Sequence, residues 1–438
     1  MNHKSSTIPT ASRRQFLRTS AATAAAVSLS GLNIGRFAHA AGSAVLRVGM
    51  IGCGGRCAGA ADQALTADPG AQLVAMCDLF ADRLQAKREA LKTQKPKQVA
   101  VDDDHCFVGF DGYRKVIESC DVVLIANAAK FHPMHVLAAV EAGKHVFVEK
   151  PHGIDPAGIK TMDRACALAK EKKLTVVSGL QSRYHPGYQE TIQRIHDGAI
   201  GEVVAIEENW LRAPYVLQER KAGMTETQFQ FSTQYHFNWL SGDDVVQTLA
   251  HNLDRASWLL RDQAPAKAHG MGGRATLSGE IYGNVFDHHA VVYEFPTGVR
   301  LYAYCRTIPR CYEENSSIIL GSKGRASVVA CRIQGEHPWR WQDNGANPYQ
   351  IEHDRLFASI RAGEALNNGG YMTRSTLIAI MGQISCYTGK EVTWEQITGS
   401  NFSYAPKPEA CCFEMDPPVK PGPDGVYPVN IPGVTELI

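Results

Sequence analysis

The sequence has no hydrophobic run with the length and composition of a stop-transfer helix, so a membrane span is not expected. It has no paired CxxC spacing. Cys53 and Cys57 share a turn and Cys411 and Cys412 are adjacent, but neither arrangement is a zinc framework, and no metal is expected. It also lacks a basic excess and any basic stripe interleaved with aromatics, which removes nucleic acid from the expected partners. No internal repeat is present. With 20% charged and 44% apolar residues the chain has a globular composition, and 438 residues suffice for two domains with separate cores.

The first forty residues differ from the rest. Ser12, Arg13, Arg14, Gln15, Phe16 and Leu17 precede an apolar, alanine-rich run over 21–32, and Ala38, His39 and Ala40 supply a small-x-small cleavage site. The pattern is that of a twin-arginine signal over 1–40, with a mature chain beginning near Ala41 and exported, as to a periplasm. Lys4, Arg13, Arg14, Arg18 and Arg36 go with it, so 45 basic residues less these five leaves 40 against 44 acidic. The mature chain is mildly acidic. Of the twelve cysteines, Cys53, Cys77, Cys120 and Cys305 fall in or beside apparent core strands, and a chain folded in a reducing cytosol before export keeps such thiols free.

Apolar runs at 45–51, 72–77, 121–126, 146–149 and 174–178 alternate with helical patterns at 58–65, 81–91, 132–142 and 156–172. This predicts a doubly wound parallel sheet, a Rossmann domain over 44–180. Beyond it the strands lengthen and alternate. Runs at 289–295 and 299–305 flank Pro296-Thr297-Gly298, and runs at 317–320 and 326–330 flank Gly321-Ser322-Lys323-Gly324. These hairpin signals predict an α+β domain over 181–405 with a large, mostly antiparallel, open-faced sheet and helices at 243–260 and 349–362. Residues 406–438 are rich in proline and glycine and read as an extended arm.

The first strand runs into Gly52-Cys53-Gly54-Gly55-Arg56-Cys57 and a helix. Such a turn aims backbone N–H groups at a pyrophosphate, and Gly52 and Gly54 meet the first two glycine requirements. Cys57 stands where a third glycine would allow closest helix–strand packing. Asp78 ends the second strand about 20 residues on, where a carboxylate bonds ribose hydroxyls. Its charge favours NAD over NADP, while Arg83 pulls the other way.

The segment Glu141-Ala142-Gly143-Lys144-His145-Val146-Phe147-Val148-Glu149-Lys150-Pro151 closely resembles the signature of the Gfo/Idh/MocA oxidoreductases. The resemblance extends from Arg47 to Thr388-Gly389-Lys390 and Val392-Thr393-Trp394. It implies that Glu149, Lys150 and Pro151 lie beside a nicotinamide, with Lys150 donating to the reacting oxygen and the Lys150–Pro151 bond open to the cis form. It also aligns Gly242 to His251 with a catalytic helix in which His251 takes the place of the family histidine. Gln247 replaces the aspartate four residues earlier. A carboxylate there would raise the basicity of the histidine, whereas an amide orients a hydroxyl without adding charge. On a 3.6-residue period Asp244, Gln247, His251 and Asp254 share one face.

The catalytic candidates are therefore Lys150, His251, Gln247 and Tyr184. The cofactor candidates are Gly52, Cys53, Gly54, Gly55, Arg56, Asp78, Asn127, His132 and the Glu149-Lys150-Pro151 segment. Arg183 and His185, at the crevice beyond the last strand, and Trp210, Tyr235 and His236, with Trp239, are the substrate candidates. His135 matches a family histidine. The reaction implied is hydride transfer from a sugar or polyol carbon, with His251 as base and Lys150 stabilising the oxyanion. An exported enzyme needs a retained, internally recycled cofactor. Coupled oxidoreduction of two sugars and NAD-dependent glycoside cleavage both meet that need, and a nonenzymatic sugar-binding protein is the alternative from another class. Homo-oligomerisation, as a dimer or tetramer, is implied by the resemblance, with the arm able to clasp a neighbour.

Overall fold

From Leu46 onward, short apolar strands alternate with helices that bury one face. Parallel strands covered on both sides can be apolar throughout, which is why Val122–Ile125 and the interior of His145–Val148 read as unbroken hydrophobic runs. A computed structural model describes residues 45–215 and 217–438. The export signal read at 1–40 lies outside the described residues.

Strands β1 (Leu46–Ile51), β2 (Ala71–Asp78), β3 (Cys106–Val108), β4 (Val122–Ile125), β5 (His145–Val148) and β6 (Val176–Ser178) are parallel in the order β3-β2-β1-β4-β5-β6. Between them run α1 (Gly55–Ala67), α2 (Ala81–Gln94), α3 (Gly112–Ser119), α4 (His132–Glu141) and α5 (Pro156–Glu171). This is the doubly wound arrangement expected. The order reverses between β1 and β4, so a crevice opens there at the carboxyl ends of the strands. Strand β3 gave no sequence signal because it is a three-residue edge strand without a buried position.

The chain then forms α6 (Pro186–His196), β7 (Val203–Arg212), α7 (Glu226–Ser232), α8 (Ala250–Leu259), β8 (Lys267–Gly273), β9 (His288–Glu294), β10 (Arg300–Thr307), β11 (Glu314–Gly321), β12 (Gly324–Ser327), β13 (Arg332–Gly335) and β14 (Trp339–Arg340). Helices α9 (Pro348–Ala362) and α10 (Gly369–Thr388), strand β15 (Val392–Thr393) and α11 (Trp394–Gly399) complete the domain. The second sheet has nine strands in the order β14-β13-β12-β11-β7-β10-β9-β8-β15. Both expected hairpins, β9–β10 and β11–β12, are present. The sheet is mixed, because β7 pairs parallel with β10 while facing β11 antiparallel. One face packs on α8 and α10 through Val291, Tyr293, Leu301, Ala303 and Ile319.

Two expectations change. The helix expected over 243–260 is interrupted: Asp243 takes a left-handed backbone with φ 71°, Val245–Leu249 forms a π turn, and only then does α8 begin. The arm from Pro406 lies along its own chain. Cys411, Phe413 and Tyr427 join Phe131, Phe229, Phe231, Phe237 and Trp239 in one aromatic cluster, and Thr227 and Gln230 of α7 donate to the carbonyls of Met415 and Val419. All twelve cysteines are free thiols.

Candidate active site

The glycine turn after β1 is built for an anion. Gly52 adopts φ 93°, and a Cβ there would press on Asn127 at 3.0 Å. At Gly54 and Gly55 an added Cβ would meet nothing, so open space lies over the start of α1. No side chain caps that helix and its first turn carries no acidic residue, which leaves its amides and dipole to a ligand. The third-glycine position is filled by the fully buried Cys57, whose thiol packs 3.6 Å from the Ile51 carbonyl.

A cavity of about 560 Å³ extends from this turn, lined by Gly52, Cys53, Gly54, Gly55, Arg56, Asp78 and Asn127 of the first domain and by Tyr215, Gln218 and 231–235 of the second. Asp78 accepts from the Cys53 amide at 2.6 Å and the Phe80 amide at 2.9 Å, tying the turn to the end of β2. Each carboxylate oxygen keeps acceptor capacity for a sugar hydroxyl. Arg83 is engaged by the Ser232 carbonyl at 2.7 Å and by Gln218 Oε1 at 3.1 Å. His135 also lines the cavity, stacked on Tyr113 with ring centres 4.3 Å apart.

Next to it is a smaller recess lined by Arg56, Asn127, His132, Glu149, Lys150, Pro151, Tyr235 and Gln247. The Lys150–Pro151 bond is cis. Lys150 Nζ donates to the Gln247 carbonyl at 2.6 Å, an acceptor that the π turn supplies. The Gln247 side chain donates its own Nε2 to the Ser241 carbonyl at 3.0 Å. His132 bridges the Pro151 and Asn127 carbonyls at 2.7 and 3.1 Å, and burial lowers it to about 4. Asn127 Oδ1 is buried without a hydrogen-bond partner. His251 lies one turn beyond Gln247, stacked on Trp210 of β7 with centres 5.6 Å apart and with Nδ1 buried and unpartnered. Burial and then the Lys150 charge hold its pKa well below the usual histidine value, so the imidazole is neutral and able to accept a proton.

The structure therefore gathers the glycine turn, Arg56, Asp78, Asn127, His132, Glu149, Lys150, Pro151, Tyr235 and Gln247 around two adjoining cavities, with His251 and Trp210 outside their linings. Five candidates are directed elsewhere. Arg183 is held between Asp254 and Asp262 at 2.8 and 2.6 Å. Tyr184 donates to Asn368 at 2.9 Å. His185 caps α6 by accepting from the Gly187 and Tyr188 amides, and His236 is buried beside Asn284, away from the cleft lining. Trp239 is buried in the aromatic cluster, bonded to Gln230. Asp244 and Asp254, expected on the same helix face as His251, pair instead with Arg212 and Arg183. Thr233 and Gln234, which the sequence reading missed, bring unpartnered buried oxygens to the cavity. They lie in an irregular segment with no motif to mark them. Among the described residues no group of three or more His, Cys, Asp or Glu side chains is arranged to hold a metal ion.

An open glycine turn at a strand-order reversal is the arrangement of a Rossmann-class dinucleotide-binding domain. Residues 46–180 match the Gfo/Idh/MocA family model, described as an oxidoreductase family with an NAD-binding Rossmann fold. It is 31% identical over 169 residues to a glycosyl hydrolase family 109 protein of Bacteroides fragilis, covering 37% of this chain and 34% of that one. It is 27% identical over 194 residues to an inositol 2-dehydrogenase/D-chiro-inositol 3-dehydrogenase of Halalkalibacterium halodurans, covering 44% and 47%. The chain thus spans about a third to a half of the length of these relatives. Among solved structures, the aldose-aldose oxidoreductase of Caulobacter crescentus aligns with a TM-score of 0.61 at 17% identity, over 80% of this chain and 99% of that one. The myo-inositol 2-dehydrogenase of Lactobacillus plantarum aligns with 0.59 at 19%, over 80% and 99%. These likenesses establish the fold.

Proposed function

We propose that this protein is an NAD-dependent enzyme that removes hydride from a hydroxyl-bearing carbon of a sugar, glycoside or cyclic polyol, with the cofactor retained through turnover. The observation that carries this reading is that the dinucleotide-sized cavity and the recess holding Lys150 share Arg56, Asn127 and Tyr235 as a common wall, with neutral His251 one turn beyond Gln247. The residues fit the cofactor: uncapped amides at the start of α1 meet a pyrophosphate, Asp78 meets ribose hydroxyls, and the unpartnered Asn127 oxygen accepts a donor in the recess. NAD is preferred over NADP because Asp78 would repel a ribose phosphate, while Arg83 is already engaged.

The bound nicotinamide supplies the hydride acceptor. Lys150, fixed by the Gln247 carbonyl, stabilises charge on the substrate oxygen, and His251 takes the hydroxyl proton. Tyr235 offers an apolar face to a sugar ring, and Trp210 backs His251. Closure of the cavity by second-domain residues as well as the glycine turn supports retention. A second reading, in which transient oxidation drives elimination of a glycosidic substituent before water adds and the ketone is reduced, draws support from the family 109 relative and from the uncharged Gln247. Export through the twin-arginine signal and assembly through the open sheet belong to the same proposal.

The test is to purify the mature protein from the periplasm without added cofactor, denature it, and identify released nucleotide by mass spectrometry. Stoichiometric NAD is expected. A protein that is empty and does not bind added NAD would overturn the reading and leave the sugar-binding alternative.

A further inference from the structure

Glu149 and Glu352 meet in one buried place from distant parts of the chain. Glu149 lies just beyond β5 and is 3% exposed; Glu352, in α9, is 0% exposed, and neither of its carboxyl oxygens has a hydrogen-bond partner among the described residues. Helix α9 packs on α1 and touches β5, with the His353 ring centred 4.3 Å from that of Phe147, and the Arg56 guanidinium lies 4.8 Å over the Tyr349 ring. Tyr349 and Glu352 are three residues apart on the helix and so share a face, the one turned to Arg56. Arg56 Nε stands 2.8 Å from Glu149 Oε1, off the axis of a hydrogen bond. Gly179 makes the room: a Cβ there would lie 2.7 Å from the Glu149 carboxyl carbon.

The Arg56 guanidinium, at the edge of the cleft, thus faces two buried carboxyls. Of the other polar groups around them, Lys150 adds a pull on Glu149 but none on Glu352. Lys150 Nζ is directed to the Gln247 carbonyl, His353 Nδ1 to the Tyr349 carbonyl, and the Tyr184 and Tyr349 hydroxyls are neutral. Glu352, buried against a second anion with Arg56 as the opposing charge, relieves the imbalance by binding a proton. Burial raises both acids, and the Glu149 charge raises Glu352 further against the pull of Arg56.

We propose that Glu149 and Glu352 together hold one proton while the nicotinamide beside Glu149 is reduced, and release it when that ring is oxidised and positively charged. The inference rests on the cofactor reading above. Oxidising an alcohol moves two electrons and one hydrogen nucleus to the ring as hydride and frees the hydroxyl proton, so the ring loses its positive charge as a proton appears. Once His251 has passed the hydroxyl proton on to solvent, uptake of one proton by the pair keeps the charge of the pocket constant. Its return accompanies the reverse hydride transfer, which suits an enzyme whose cofactor never leaves.

The experiment is an infrared difference spectrum of the full chain carrying NAD against the same protein carrying NADH. Gel filtration and the absorbance of the retained nucleotide report binding separately. A protonated-carboxyl band that shifts in D₂O is expected in the NADH form, weakened or absent in the NAD form, lost in Glu352→Gln and displaced in Glu352→Asp. Nucleotide retained with no such band, or with a band unchanged in both variants, overturns the carboxyl pair. No nucleotide retained overturns the cofactor reading beneath it.

Discussion

The Arg183 guanidinium binds two carboxylates and lies 4.2 Å from the Tyr371 ring centre and 5.3 Å from that of Trp258. Every direction in which it could reach a substrate is already occupied. Its partner Asp254 is fully buried, so removing the cation leaves an uncompensated charge, a loss of about 3–5 kcal/mol. Arg183→Met is therefore expected to lower Tm by several degrees while leaving KM of the folded fraction unchanged. Thermal denaturation and steady-state kinetics check both, and a raised KM with unchanged Tm would return Arg183 to the substrate site. Lys150 is the contrasting case. Its ammonium faces a backbone carbonyl rather than a carboxylate, so its charge remains available to the reacting oxygen and to depress His251.

At the scale of elements the π turn is the decisive departure from simple periodicity. A 3.6-residue count puts Asp244, Gln247, His251 and Asp254 on one face, but the wider turn over Val245–Leu249 rotates the residues beyond it, and Asp244 and Asp254 leave the cleft for arginines. Just before the turn stands Asp243, fully buried and left-handed, which accepts from the Phe286 amide at 3.0 Å, His289 Nε2 at 3.2 Å, the Tyr387 hydroxyl and the Asp244 amide. The distant partners come from β9, α10 and the segment before β9, so no local signal reveals them. The glycine turn, Asp78 and the Glu149-Lys150-Pro151 segment were legible because each is a short motif fixed by strand ends. Helix α10 was not, since it is buried nearly all round and shows no amphipathic period.

Burial opposes ionisation of Asp243, but its donors outweigh this and hold its carboxyl below the usual range. A carboxylate depressed in the folded state stabilises above its unfolded pKa, and that contribution is lost as pH falls through the folded value. Asp243→Asn is thus expected to cost about 2–3 kcal/mol near neutrality, with the gap from wild type narrowing below about pH 4. Denaturant unfolding across pH reads this. A gap that does not change with pH would show that Asp243 acts through shape alone.

At the scale of the whole molecule, the nine-stranded sheet buries one face under helices and leaves the other outward. Cross-strand register places Met271, Ala290 and Tyr304 in one outer row, with Met271 and Tyr304 exposed, and Leu320 is exposed farther along the same sheet. Beside them Lys267, Glu294 and Arg300 form a row of alternating charge, ion-paired along its length. A band of apolar side chains edged by alternating charges is self-complementary, since a copy turned about a two-fold axis brings opposite signs together. The arm cannot substitute for that partner, because Cys411 and Tyr427 are buried in their own aromatic cluster. The protein is therefore expected to associate through this face, giving a dimer or a multiple of it by light scattering at micromolar concentration. The double variant Met271→Asp, Tyr304→Asp should yield a folded monomer, because two carboxylates per copy would be forced into a desolvated, like-charged contact. Cofactor content should be unaffected, since neither residue lines the cavity. A monomeric wild type would overturn this assembly, and an oligomer that survives the double variant would move the contact to another surface.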